Sequence, residues 1–534
     1  MNSCATKPAR FLLLLAAIFI VRGIALQGLY PPLEGFDEYQ HIACMQYLVE
    51  NRTLPVYGRS QVPVSLYGDI VANPHPDFSH QQTDRIGALS YAQFYTGSPV
   101  LPGLAPIDLY QAQHPPLYYA AMASLYVFSR AVLGFRAAVY LLRCVNICAA
   151  ALALVLLLYP VRRMCADSAL SRLMCLAAAS SPLFMVYVAR VANDAFALMF
   201  AGFSLVLVLR ASDERRPLLS AGLAGVCAGL AVLSKLNALV VLPAALCYWV
   251  ILAAVSNIAW RRCVQFSVFF TAGYLFICLP FHVWAQVQYS TFFPQQETLR
   301  YIAAGRTSID WLREFRFGHL WSFFVRHVVS QTLWTSGWSF LALPRLPALA
   351  YRLLLVAAAC GALFWLRGRR RTAYGELIRD LRPLLLCLLL TLGTLCAAYM
   401  HALHSLAAYG LINTPPHYVM IAYPAFLGCL FAAALGFGRR IAAITAIVMI
   451  ALFTFAELYG LLFVAVPYWA QTLDFSLMMT RLASVHPGFP APIHFFILYP
   501  AAFVLLIIAL RPSLRIFRTQ ARQIPEQHAR PPVC

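Results

Sequence analysis

The most chemically suggestive segment is Gly35-Phe36-Asp37-Glu38-Tyr39-Gln40-His41, directly after the first apolar run. Its two adjacent carboxylates stand where a membrane surface would present the headgroup of a lipid-linked substrate. Asp favours the cap of a helix, and a carboxylate fixed at a helix start is also a preorganised base, so capping and catalysis both stay open for Asp37. Beyond it, Ile42, Met45, Leu48 and Val49 recur at helical spacing and predict a short amphipathic helix along the interface. A second motif is Gln113-His114-Pro115-Pro116-Leu117-Tyr118-Tyr119. Proline suits a first helical turn, which puts His114 at a helix N-terminus, the end that favours a phosphate or carboxylate; a solvated loop histidine is the alternative. In Arg190-Val191-Ala192-Asn193-Asp194, Arg190 and Asp194 can pair or snorkel, or bring a second carboxylate to the face that holds Asp37.

Several polar residues fall inside apolar runs: Arg22, Arg143, Asn146, Lys235, Asn237, His401 and Glu457. Lys235, with Asn237 beside it, could meet a lipid phosphate or Asp194, and Arg143 is another phosphate candidate; snorkelling is the plain alternative for each. Pro415-Pro416-His417-Tyr418 repeats the proline, histidine and tyrosine of the second motif and suggests another wall of one cavity. His75, Asp77 and His80 could ligate a metal, although their spacing matches no zinc signature.

What must position these groups is a membrane-spanning bundle. The chain has 534 residues, 61% apolar and 11% charged, against about 25% charged in soluble proteins. A crossing needs about 20 apolar residues, and such runs fall at about 10–29, 136–159, 169–189, 194–211, 217–235, 237–256, 263–285, 348–366, 383–402, 417–436, 440–462 and 494–510. The expected fold is an all-α polytopic membrane protein of about 12 transmembrane helices, with interfacial helices in a long first extracytoplasmic loop.

The formal charge of +20 marks orientation here, and nucleic acid is not an expected partner. If Pro115–Leu133 crossed the bilayer, Arg162-Arg163, Arg215-Arg216, Arg261-Arg262, Arg367–Arg371 and Arg439-Arg440 would lie outside. If it lies flat, all five clusters fall inside with Lys7 and Arg10, as the positive-inside rule requires. Its Tyr118, Tyr119 and Tyr126 also suit an interfacial helix. Residues 1–510 then form one transmembrane unit with outward loops at 30–135, 286–347 and 463–493, and 511–534 is a basic cytoplasmic tail touching anionic lipid. In the second loop, Arg300, Arg306, Asp310, Arg313, Glu314 and Arg316 read as a solvated face. Of 15 cysteines, only Cys44 falls in an outward loop, so no external disulfide framework is expected.

With these motifs in order, the chain resembles the C-type (GT-C) membrane glycosyltransferases, including protein O-mannosyltransferases and lipid A aminoarabinose transferases. Asp37-Glu38 resembles the acidic pair after their first span, and His114-Pro115 the basic residue and proline before an aromatic interfacial helix. Asp194 resembles the acidic residue after the third span, and Ser234-Lys235 the Ser/Thr-Lys near the end of span five. His114 stands where the aminoarabinose enzymes have lysine, and no large soluble C-terminal domain is evident. The resemblance implies a GT-C-like bundle in a bacterial inner membrane, transferring a sugar with inversion from a polyprenyl-phosphate donor to a lipid, glycan or protein acceptor.

Within that implied mechanism Asp37 is the base and Glu38 orients Asp37 or the acceptor. His114, Arg143, Arg190 and Lys235 are candidates to neutralise the leaving phosphate. Asp194, with Asn193, would hold sugar hydroxyls, or a divalent metal if one takes part; His417 and Tyr418 complete the substrate wall. A transporter or flippase of a lipid-linked or small anionic substrate is the main rival, although transporters place charges mid-membrane. A non-catalytic scaffold of the same fold is a third reading.

Overall fold

Hydrocarbon offers the backbone no hydrogen-bond partner, so a chain this apolar must satisfy its amides within helices. The computed structural model describes residues 6–99, 105–212, 216–255, 257–306, 317–338, 340–366, 380–486 and 491–514. Among these, regular structure is helical, with β-pairing confined to isolated bridges. The main elements are α1 (Thr6–Gln27), α2 (Glu38–Asn51), α3 (Leu117–Leu133), α4 (Phe135–Leu157), α5 (Ser168–Ala179), α6 (Pro182–Val188), α7 (Asp194–Ala211), α8 (Pro217–Ser234) and α9 (Val241–Ala254). After them come α10 (Trp260–Tyr289), α11 (Gln296–Ala303), α12 (Arg345–Leu366), α13 (Leu381–Tyr409), α14 (Tyr423–Leu435), α15 (Arg439–Tyr459) and α16 (Ala491–Leu510).

Ten helices among the described residues are long and apolar enough to cross a membrane, or eleven when the pair α5 and α6, bent by 45°, is counted as one span. Helix α12, 22 residues long, occupies the run expected at 348–366. The chain is an integral, multi-pass membrane protein. The structure changes one span: 169–189 is broken at Ser180-Ser181, where Pro182 removes an amide donor. Arg22 of α1 mends the break, donating to Ala179 O at 2.9 Å and Ser180 O at 3.0 Å. Its other donors reach both oxygens of Glu457 on α15, each at 2.7 Å, and Tyr499 of α16 donates to the same carboxylate at 2.6 Å.

Helices α8 and α10 meet along a seam of small residues. A β-carbon on Gly225 would overlap Phe270 O, and one on Gly273 would overlap Gly222 O. Only glycine lets these backbones approach so closely. Arginine-rich helix ends gather together elsewhere: Arg163 lies 3.6 Å from Asp380, and Arg439 lies 2.5 Å from Asp167. Helix α7 runs from Asp194 to this basic end at Arg210, and α8 returns from Pro217 to Ser234. The basic ends therefore oppose the end that carries Asp194 and Lys235. The cluster Arg367–Arg371 and the tail from 515 lie outside the described residues.

The first long loop builds a second apolar core from Leu33, Ile42, Met45, Ile70, Tyr118 and Tyr126, closed by Val139 and Leu142 of α4 and by Trp338. Helix α3 has 17 residues, short for a span. Tyr118, Tyr119 and Tyr126 are buried, which corrects the interfacial reason given for them: they pack inward. Helix α2 likewise buries Glu38 to Gln46 rather than lying on a surface.

Candidate active site

Helix α2 begins in an unusual way. Asp37 has φ 56° and ψ 18°, left-handed values that cost a non-glycine residue roughly 1–3 kcal/mol. Its side chain makes no cap hydrogen bond, so the capping reading is set aside. Instead Tyr110 Oη donates to Oδ1 at 2.5 Å and Gln111 Nε2 to Oδ2 at 2.7 Å. The strained backbone thus aims the carboxylate away from its own helix into a cavity of about 500 Å³. Burial pushes the Asp37 carboxyl up to about 6, against the lowering effects of Tyr110, Lys235 and Gln111. Near neutral pH such a group is an ionised base that accepts a proton readily.

Glu38 points the other way. Its Oε1 accepts from Arg143 Nε at 2.8 Å and from Val191 N at 2.7 Å, and its Oε2 from Arg143 Nη2 at 2.6 Å and Leu33 N at 2.8 Å. Arg143 also donates to Tyr30 O and Pro31 O, both at 2.8 Å. Both side chains are fully buried and neither lines the cavity. Burial alone would raise the Glu38 carboxyl, but the Arg143 charge and these hydrogen bonds hold it below its usual value. This corrects two expectations: Glu38 neither touches Asp37 nor lines the cavity, and Arg143 spends four of its five N–H donors on the protein, fully buried away from the cavity. The pair is a brace tying the loop before Asp37 to α4 and to the turn before Asp194.

That turn is further fixed by Asn146, whose Nδ2 donates to Arg190 O at 2.6 Å and Ala192 O at 3.0 Å. It delivers Asp194 to the cavity, where Lys235 Nζ donates to Oδ1 at 2.9 Å and Oδ2 at 2.8 Å. Asn193 is behind the wall, donating to Ser234 O at 3.0 Å, so the substrate role expected for it is corrected to holding the turn against the end of α8. Arg190 does line the cavity. Its Cζ sits 3.4 Å from the centroid of the Tyr30 ring, and its buried Nε and Nη1 have no hydrogen-bond partner among the described residues.

His114 also lines the cavity. Burial, aided by Lys235, lowers its imidazole to about 3. A neutral ring can donate one hydrogen bond, and a phosphate placed beside it would raise its affinity for a proton. His417 and Tyr418 share the same wall as anticipated, their rings 4.8 Å apart. Sequence reading missed Tyr110 and Gln111, whose signal was their position just before His114-Pro115. It also missed Glu297, which lines the same cavity beside His401, 3.4 Å from its Nε2, and had no motif to mark it.

The metal alternative at His75 finds its ring engaged, with Nε2 3.0 Å from Ile70 O. Among the described residues no group of three or more His, Cys, Asp or Glu side chains is arranged to hold a metal ion.

The sequence profile described as dolichyl-phosphate-mannose-protein mannosyltransferase matches residues 113–284. No curated protein matches the chain. Among solved structures, ArnT from Cupriavidus metallidurans bound to undecaprenyl phosphate is 14% identical with a TM-score of 0.46, and the match covers 96% of this chain and 78% of that one. The apo oligosaccharyltransferase of Archaeoglobus fulgidus is also 14% identical with a TM-score of 0.46, the match covering 92% and 61% of the two chains. The arabinosyltransferase EmbB from Mycobacterium smegmatis is 11% identical with a TM-score of 0.40, covering 94% and 42%. The profile match takes in His114, Arg190, Asp194 and Lys235, and with it the resemblance of this chain to the GT-C membrane glycosyltransferases holds.

Proposed function

We propose that the protein transfers a sugar from a polyprenyl-phosphate donor to an acceptor hydroxyl, with inversion, at the extracytoplasmic face of a bacterial inner membrane. The observation that carries this reading is Asp37, a buried carboxylate braced by two donors beside the Asp194–Lys235 pair in one cavity. What supports the side is the set of arginines at described helix ends, such as Arg163, Arg210 and Arg439, which lie opposite that cavity, at the end the positive-inside rule gives to the cytoplasm.

In the proposed step the acceptor oxygen forms its bond to the anomeric carbon as the carbon–oxygen bond to the lipid phosphate breaks, and the hydroxyl proton passes to Asp37. Lys235 spends two donors on Asp194 and keeps a third for the leaving phosphate. Arg190 offers a charge with unengaged N–H groups close by, the pairing that phosphate favours. Asp194 is free to turn its outer lone pairs to sugar hydroxyls. The Asp37→Asn substitution tests this: asparagine tolerates the left-handed backbone and keeps the shape, but cannot accept the proton. Transfer of tritiated mannose from polyprenyl-phosphate mannose, measured in nanodiscs across a panel of acceptors, should fall by at least about 10²-fold with an unchanged elution profile. Wild-type rates in this variant would refute the assignment.

A further inference from the structure

Beside Asp37 and Asp194, the cavity is lined by a buried carboxylate that the proposed step does not use. Glu297, near the start of α11, lines the same cavity and is only 5% exposed. Among the described residues its side-chain partners are His401, with Nε2 3.4 Å from Oε1, and its own backbone amide. The other ring nitrogen of His401 lies 2.9 Å from Thr414 Oγ1, so Thr414 sets the ring and the ring sets the carboxylate. Burial would raise Glu297, but the proximity of His401 outweighs it and holds the group below its usual value. A carboxylate accepts about four hydrogen bonds, and here much of that capacity is unspent. Tyr418 is near both His401 and Lys235, its ring 4.2 Å from that of His401 and 6.0 Å from Lys235 Nζ. Gln295, Gln296 and Asn413 complete the same wall.

Resting on the glycosyltransfer reading, we propose that Glu297 anchors the acceptor and that the acceptor is itself a carbohydrate. The argument is a count of donors. The reacting hydroxyl goes to Asp37, so an acceptor that also reaches Glu297 must bring further donors of its own. A serine or threonine side chain has only the one hydroxyl. A sugar ring carries several, often adjacent, and a carboxylate receives two neighbouring hydroxyls well. Amide side chains both donate and accept, as ring hydroxyls do, and the Tyr418 face suits the C–H side of a pyranose or furanose.

The test uses the full chain in nanodiscs, with methyl glycosides, their monodeoxy analogues and an N-acetyl-threonine-amide peptide as probes. Saturation-transfer NMR reads binding without turnover; the glycosides should give signal at millimolar concentration, weakened in Glu297→Gln. In transfer from tritiated polyprenyl-phosphate mannose, Glu297→Gln should raise the glycoside KM about tenfold, the loss expected for one charge-assisted hydrogen bond, with kcat within about twofold. A deoxy glycoside lacking the anchored hydroxyl should show the wild-type loss and no additional loss in the variant. Glu297→Asp, which keeps the charge, should recover part of the KM and guards against a folding artefact. Transfer to the threonine peptide but not to glycosides, or a KM indifferent to Glu297, would overturn the proposal while leaving glycosyltransfer standing. Glycoside binding with no transfer to any acceptor would instead overturn glycosyltransfer itself, and the acceptor role with it.

Discussion

At the scale of single residues, the hydrogen bonds around Asp37 would set the pH range of the proposed base. Its carboxyl lies at about 6, so activity should fall about tenfold per pH unit below that value as the base takes up a proton. The Tyr110 hydroxyl stabilises the charged form. Tyr110→Phe removes that stabilisation and should move the acidic limb of the kcat/KM profile to higher pH, whereas an unmoved limb would mean a different titrating group. Asp37 could be picked out from sequence because it is an acid just past an apolar run. Its neighbour could not be separated from it, since Asp37 and Glu38 look alike on paper. Only the left-handed turn, which sends one side chain into the cavity and the other into the brace, distinguishes them. Glu297 escaped notice for a similar reason: its partner His401 is far away in the chain, and no local pattern announces a contact of that range.

At the scale of elements, the helices were the most legible feature. Twenty apolar residues in a row have little alternative to a spanning helix, and every expected span has a helix in the structure. The break between α5 and α6 was not evident, because the run 169–189 stays apolar across it and Pro182 also fits an unbroken start. The brace of Glu38 and Arg143 joins α2, α4 and the turn before α7 without touching substrate. Removing one partner leaves a buried charge unpaired, so Glu38→Gln or Arg143→Met alone should destabilise the fold by about 3–5 kcal/mol. The double variant should lose less than the sum, as thermal unfolding in detergent would show; strict additivity would argue against a mutual brace. Arg22 and Glu457, flagged in the sequence as polar residues in apolar runs, make the comparable tie between α1 and α15.

At the scale of the whole molecule, the basic helix ends and the cavity lie at opposite ends of the same helices. This arrangement makes topology testable. A cysteine placed at exposed Asn51 should react with a membrane-impermeant maleimide in intact cells with a permeabilised outer membrane. One at exposed Arg216 should react only after the inner membrane is opened. The reverse pattern would place the cavity in the cytoplasm and remove the extracytoplasmic assignment. An orientation could be proposed from arginine positions alone because sorting of charge across a bilayer acts on short segments one at a time. Gathering of distant segments around one hollow was suggested by repeated proline-histidine motifs, but the partners inside it depend on folding of the entire chain.

The glycine seam between α8 and α10 gives the bundle a distant hold on the reacting groups. Lys235 rides at the tip of α8, ten residues along from Gly225, about 15 Å at 1.5 Å per residue. A methyl group at that pivot would wedge the two rods apart and swing the ammonium at the far end like the pointer of a balance. Gly225→Ala should therefore slow transfer by an order of magnitude or more from a site that no substrate reaches, with the Asp37 limb of the pH profile left in place; a fully active alanine variant would show that the rods pivot elsewhere.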